Sequence, residues 1–288
     1  MTQLARPVMG IGSCLAGNAV RYNAQTKAAN QHVRALMDNF EMRAFCPEMG
    51  AGMGVPRPPI HLVGPEDRVR AVDVDTHEND FTDKIAGYAH TVLSLAPELC
   101  AYILVKGSPS CGYERVKRYG EKGHHIAADQ QGVFASALGK ADPLLPLEDD
   151  GRLNDPGLRE SFVTRAYTYH DWKQLVASGL TAGKLVSFYS RYKYLAMAHH
   201  VPGYQRLGRM LADAGKQDIT QLSDEFITTL METLARRATR RSHSNVLFHL
   251  SGYLKKGVSS EERQRLRDLI DRYRQAVSYT HLRAHETS

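Results

Sequence analysis

Hydrophobic and polar positions follow two rhythms along this chain. In the first half, short apolar runs alternate with longer stretches of helical spacing. PVMGIGS (7–13) reads as a buried strand ending in a glycine-rich turn. Residues 30–39 carry a helical pattern, and 43–45 a short strand that runs into Cys46-Pro47-Glu48. AVDVD (71–75) alternates as a strand does. Thr82 is placed to cap a helix reaching about Leu95, with Ile85, Val92 and Leu93 on its apolar side. CAYILV (100–105) is the continuous apolar run expected of a strand buried on both faces. Residues 127–138 read as a helix. Such alternation predicts an α/β fold with a Rossmann-like, mostly parallel sheet. In these sheets, sites form in the loops beyond the carboxyl ends of the strands.

The rhythm then changes. Residues 139–156 hold three prolines and the acidic run EDDG, and read as a connection. The expected division is an α/β domain over 1–145, a linker over 146–158 and an all-α domain over 159–276. In the last of these, Phe226, Leu230 and Leu234 recur every four residues within a helix expected over 224–241. Ser259 and Glu262 form a capping-box pattern that opens a helix reaching about Gln275. Residues 277–288, VSYTHLRAHETS, resemble a translated sequencing-library adapter and are set aside as a non-native tail.

Charge sharpens this division. The net charge of +6 is not spread evenly: residues 180–276 hold 17 Lys and Arg against 9 Asp and Glu, and the remainder 20 against 22. A basic helical half suggests a polyanionic partner. Arg236, Arg237, Arg240 and Arg241, with Lys255 and Lys256 beyond them, are the densest cluster and the candidate RNA contacts. On one continuous helix, 236 with 240 and 237 with 241 would be neighbours, and an anion would relieve their repulsion. Tyr189, Tyr192 and Tyr194 could offer stacking surfaces. No apolar run approaches a membrane span, and MTQLARPVMGIGSC lacks the character of a signal peptide, so no membrane partner is expected and the cytoplasm is the default location. Nothing in the sequence points to a protein partner.

The chain has four cysteines and no CxxC pair. Cys100 falls inside an apolar run and reads as a packed core thiol. The other three lie among glycines and prolines: Cys14 in GIGSCLAGNAVRYN, Cys46 in FCPEMGAGMGVPRPP and Cys111 in KGSPSCG. They can meet only through the fold. Three converging thiolates suit a metal or cluster, with zinc, Cu(I) and iron–sulfur all open. Structural zinc normally takes four protein ligands, whereas a [4Fe–4S] cluster with three leaves one iron open. Gly50, Gly52 and Gly54 precede VPRPP rather than a helix, which argues for a pocket-lining loop over a dinucleotide fingerprint. Arg21 and Arg57 read as phosphate contacts or as partners of internal carboxylates. Glu48 by itself could cap a helix or pair with Arg57. The adjacent pairs His124–His125 and His199–His200 are weak metal candidates.

Taken together, SCLAG…VRYN, CPE…GMGVPRPP and GSPSCG resemble the thiouracil desulfidase family over about residues 5–140. KYLAMAH (193–199) and ATRRSHSNVLFHLSGYLKK (238–256) resemble a helical companion domain, and the pairing resembles bacterial tRNA 4-thiouridine desulfidases. The resemblance implies a [4Fe–4S] cluster held by Cys14, Cys46 and Cys111, with Glu48 as the acid/base carboxylate and Ser108 near the substrate. It implies thiolated tRNA as substrate and non-redox replacement of sulfur by water, with uridine and hydrosulfide as products. Two other readings stay open: a desulfidase of free thiouracil or thionucleosides, and a non-catalytic, metal-stabilised RNA-binding adaptor.

Overall fold

Every residue of the apolar run at 101–104 is buried, and that run is the centre of the first sheet. The computed structural model describes residues 6–255 and 257–275. The chain divides into two compact units, 1–178 and 179–288. In chain order the first unit runs β1 (Val8–Gly12), α1 (Gln31–Asn39), β2 (Glu41–Phe45), α2 (Pro47–Gly50), β3 (Ile60–Val63), β4 (Arg70–Asp73), α3 (Thr82–Leu95), β5 (Ala101–Leu104), β6 (Val116–Tyr119), β7 (His125–Gln130), α4 (Val133–Ala141), β8 (Leu147–Asp149) and α5 (Pro156–Ala177).

The first sheet has the order β2-β1-β5-β8 and is parallel throughout. Alternation sorts its side chains onto two faces. Met9, Ile11, Ala101 and Ile103 point to one, where they pack with Val33, Leu36 and Phe40 around α1 and with Phe162 and Ala166 of α5. Tyr102 points to the other, its ring edge-on to Phe134 of α4 at 5.6 Å. A second sheet, β4-β3-β6-β7, joins β3 and β6 in parallel and its outer pairs antiparallel.

The expected linker over 146–158 is not a linker. Leu147, Glu148 and Asp149 form the edge strand β8 and are buried. Helix α5, expected to open the second domain, belongs to the first. Its Lys173 donates to the carbonyls of Pro97 and Leu99 at 2.9 and 2.7 Å, and the Tyr169 hydroxyl to Asp142. The boundary falls at 178/179 because a hydrophobic face on α5 completes the sheet's core. The helix expected over 127–138 begins only at Val133; residues 125–130 instead pair with β6 as a hairpin. Thr82 does not cap α3 by its side chain; it opens the helix, its hydroxyl accepting from Ala71 N and donating to Asp80.

The second unit, as described, is helical: α6 (Ala182–His199), α7 (Val201–Ala212), α8 (Ile219–Ala235), α9 (Arg240–Ser251) and α10 (Ser260–Arg274). Phe226, Leu230 and Leu234 are fully buried, and Ser259 and Glu262 form the capping box that opens α10. The arginine cluster is arranged differently from expectation. Helix α8 stops at Ala235, and Thr239 caps α9 by accepting from Ser242 N at 3.1 Å. Arg236 and Arg237 therefore lie between helices while Arg240 and Arg241 open α9, so no shared helix sets them four apart. Tyr189 and Tyr192 are buried, and Tyr189 donates to the Tyr204 carbonyl, so neither is a stacking surface. The Tyr194 hydroxyl donates to that of Tyr253. His199 bonds the Arg236 carbonyl and His200 caps α7. The Lys255 side chain, Lys256 and the tail 277–288 lie outside the described residues. Among those described, no helix is long and apolar enough to cross a membrane.

Candidate metal centre

All four strands of the first sheet end at one place. Cys14 follows β1 by two residues, Cys46 directly follows β2, the 106–112 loop follows β5, and Asp150 directly follows β8. Above these ends lies a cavity of about 300 Å³ whose wall includes Cys14, Cys46 and Cys111, together with Glu48 and Ser108. The sequence-predicted site residues of the first half thus share one cavity. The glycines 50, 52 and 54 are not on its wall; instead the Gly54 carbonyl accepts from Arg57 at 2.7 Å. Arg236, Arg237, Arg240 and Arg241 are in the second unit and exposed.

Each cysteine is held by its loop's backbone. The carbonyl of Cys14 accepts from Lys27 N at 3.0 Å, which closes the 14–27 excursion. Cys46 caps the short α2, its carbonyl accepting from Gly50 N at 2.9 Å. Cys111 N donates to the Ser108 hydroxyl at 3.1 Å, and carbonyls of Pro109, Ser110 and Gly112 accept from Val133 N, Phe134 N and Gly132 N. Asp150 ties two of the loops together. One of its oxygens accepts from Lys106 N at 2.7 Å and from Lys27 Nζ at 2.9 Å, and its carbonyl from Asn30 Nδ2.

Glu48 has its two oxygens divided. Oε2 accepts from Arg57, at 2.9 Å from Nε and from Nη2 as well. Oε1 accepts from the Ser110 hydroxyl at 2.6 Å, and Ser110 shares a 3.0 Å hydrogen bond with Ser108. Arg57 is buried and also donates to the carbonyl of Val20. Of the two readings open for Arg57, the structure has it as the partner of an internal carboxylate. Ser110 was missed by sequence reasoning, although it stands in the same SPSC motif as Ser108. Arg21, Lys27 and Lys106 add cationic side chains to the wall.

The thiols are electrostatically strained as they stand. Burial pushes Cys14 and Cys46 up, and the neighbouring Cys46 sulfur adds to the effect at Cys14. Burial also holds Cys111 well above the usual thiol range, with Glu48 the next cause. Three gathered thiols whose ionisation is opposed chiefly by burial suit a cationic group, which deprotonates its ligands outright. Cys100 is separate: fully buried on the core side, its thiol is pushed up to about 12 by burial. Three soft donors without a fourth fit an iron–sulfur cube with one corner free of protein thiolate. A tetrahedral zinc, with Zn–S bonds of about 2.3 Å, would need its sulfurs roughly 3.8 Å apart. Among the described residues, no three His, Cys, Asp or Glu side chains are spaced to hold a single ion. A cube carries its irons at separate corners and tolerates ligands spread more widely.

Fold and site together define an α/β protein that gathers three thiols and a carboxylate at the carboxyl ends of a parallel sheet. A family model described as 2-thiouracil desulfurase matches residues 9–150, and one described as a protein of unknown function (DUF1722) matches residues 193–282. The uncharacterized protein YbgA of Escherichia coli (strain K12) is 36% identical over 116 residues, 40% of this chain and 69% of that protein. The uncharacterized protein YbbK of Bacillus subtilis (strain 168) is 32% identical over 151 residues, 50% of this chain and 97% of that protein. A solved structure of the [4Fe-4S]-dependent thiouracil desulfidase TudS is 26% identical, covering 52% of this chain and 95% of that one, with a TM-score of 0.41, too low to rest a conclusion on. The chain belongs to the 2-thiouracil desulfurase family, joined to a DUF1722 region.

Proposed function

We propose that this chain replaces sulfur by oxygen in thiolated uridine of tRNA, 4-thiouridine foremost, giving uridine and hydrosulfide. The observation that carries the reading is the meeting of Cys14, Cys46, Cys111, Glu48 and Ser108 on one cavity wall. In this reading the three cysteines hold a [4Fe–4S] cluster. When bound, the cluster supplies a Lewis acid for a soft thiocarbonyl sulfur, through the iron that no cysteine ligates. The chain's own residues supply the rest. Glu48 takes the proton of the water that adds to the ring carbon. Arg57 holds that carboxylate in place, and Ser110 and Ser108 link it to the cavity. One C–O bond forms and one C–S bond breaks, with no net electron transfer.

Support for tRNA as the carrier comes from charge. The helical unit is basic, and Arg236, Arg237, Arg240 and Arg241 are exposed around the α8–α9 junction. Two of them sit at the N-terminus of a 12-residue helix, where its dipole adds to their attraction for phosphate. The family description, 2-thiouracil desulfurase, itself favours a second reading, a free thiouracil as substrate, to which a free thionucleoside is the chemical neighbour.

The test is anaerobic incubation of reconstituted protein with bulk tRNA, and separately with free 4-thiouridine and 2-thiouracil, followed by nucleoside mass spectrometry. Loss of 4-thiouridine from tRNA with matching gain of uridine is the expected result. Turnover of the free compounds with tRNA untouched would replace this reading by the second. No turnover of any of the three would leave the adaptor reading.

A further inference from the structure

Tyr102 poses a problem that the site as described does not solve. It lies at the centre of β5 and is fully buried. Among the described residues, its hydroxyl is the buried side-chain polar atom without a hydrogen-bond partner. A buried hydroxyl with nothing to bind is a penalty that phenylalanine would avoid. The ring itself is well placed. In the parallel register Tyr102 stands opposite Gly10 of β1, and a Cβ at Gly10 would fall 2.2 Å from the Tyr102 ring, so glycine is what lets the ring cross β1. It continues towards Phe45 of β2, the residue before Cys46, with ring centroids 6.4 Å apart. Burial above all pushes its phenol up, and the titratable groups near enough to add to this are Cys111, Tyr88, Cys46 and Cys14, which include all three cavity thiols.

We propose that the Tyr102 hydroxyl donates a hydrogen bond to a sulfur of the cofactor held by Cys14, Cys46 and Cys111. Tyr102 is then a residue that tunes the cofactor's electron density and so its affinity for a thiocarbonyl. This rests on the cluster reading given above. A donor to cluster sulfur stabilises the more negative, reduced state and raises the reduction potential. The same withdrawal of density makes the open iron a stronger Lewis acid.

The experiment measures cluster content and reduction potential in the full chain for wild type, Tyr102→Phe and Phe134→Leu. Phe134→Leu loosens the packing around the same ring but leaves its hydroxyl. The expected result is equal iron content, a more negative potential for Tyr102→Phe and an unchanged one for Phe134→Leu. An unmoved potential in Tyr102→Phe, or equal shifts in both variants, overturns the proposal. If Tyr102→Phe fails to fold, global replacement by 3-fluorotyrosine strengthens the phenol as a donor; the potential should then become less negative, and no change overturns the proposal. A wild type that takes up no cluster defeats the reading underneath, and this proposal with it.

Discussion

Glu48 stands between a cation and a hydroxyl, and those two contacts give the residue its separate consequences. Arg57 has a nearly closed environment and Glu48 is its acidic partner. Removing the cation leaves a half-buried carboxylate uncompensated. Arg57→Met should therefore destabilise the chain by about 3 kcal/mol, read as a lowered midpoint in urea. Glu48→Gln removes the proton acceptor and keeps the shape. We expect desulfuration slowed by roughly 10²–10⁴-fold with iron content unchanged, measured by hydrosulfide release. The loop positions of the three cysteines were legible because each motif sets them among glycines and prolines, which build loops rather than cores. The pairing of Glu48 with Arg57 was one of the readings the sequence left open; its contact with Ser110 was not legible, because Ser110 is 62 residues away and meets Glu48 only in the fold. Asp73 shows a different effect. Amide donors of Asn79 and Thr76 hold its carboxyl well below the usual carboxylate range. A depressed folded-state value means stability that is present above the unfolded value and lost as pH falls through the folded one. The gap in stability between wild type and Asp73→Asn should narrow as pH falls below about 4.

At the scale of elements, the first turn of α4 grips the cysteine loop. Amides at its start reach the carbonyls of Pro109, Ser110 and Gly112, and Gly132 is what lets the backbones approach. A Cβ at Gly132 would lie 2.5 Å from the Ser110 backbone carbon and oxygen, neither of which can swing away. Gly132→Ala should cost ~2 kcal/mol and reduce cluster loading, checked by denaturation and iron analysis. The misread strand has a separate cause: residues 125–130 are mostly exposed and carry no apolar alternation, although they pair with β6 as a hairpin across the short Gly120–Gly123 turn. By contrast β1 and β5, the inner strands of the parallel sheet, were legible because strands buried on both faces are largely apolar. In the second sheet β4 was legible from the alternation of 71–75, while β3 and β6, four residues each, are too short to show a period.

For the whole molecule, the boundary matters more than the sum of elements. Proline and acidic residues at 143–156 suggest a linker, yet the acids Glu148, Asp149 and Asp150 are buried with partners of their own. Composition alone cannot distinguish a solvated acid from a paired one. A chain ending at Ser178 keeps α5 on the sheet and should melt cooperatively by circular dichroism, whereas one ending at Asn154 exposes the surface that Phe162 and Ala166 cover and should not. If the helical unit presents tRNA, the shorter chain loses tRNA turnover and keeps turnover of free thionucleoside, and the full chain's tRNA affinity falls steeply with salt. The account as a whole stands on Cys14, Cys46 and Cys111 sharing one cofactor. Iron and acid-labile sulfide in anaerobically reconstituted wild type and in Cys14→Ser, Cys46→Ser and Cys111→Ser test it most directly. The account predicts about four of each per wild-type chain and a marked loss in every variant; a variant that retains the full wild-type load, or stoichiometric zinc in place of iron, would contradict it.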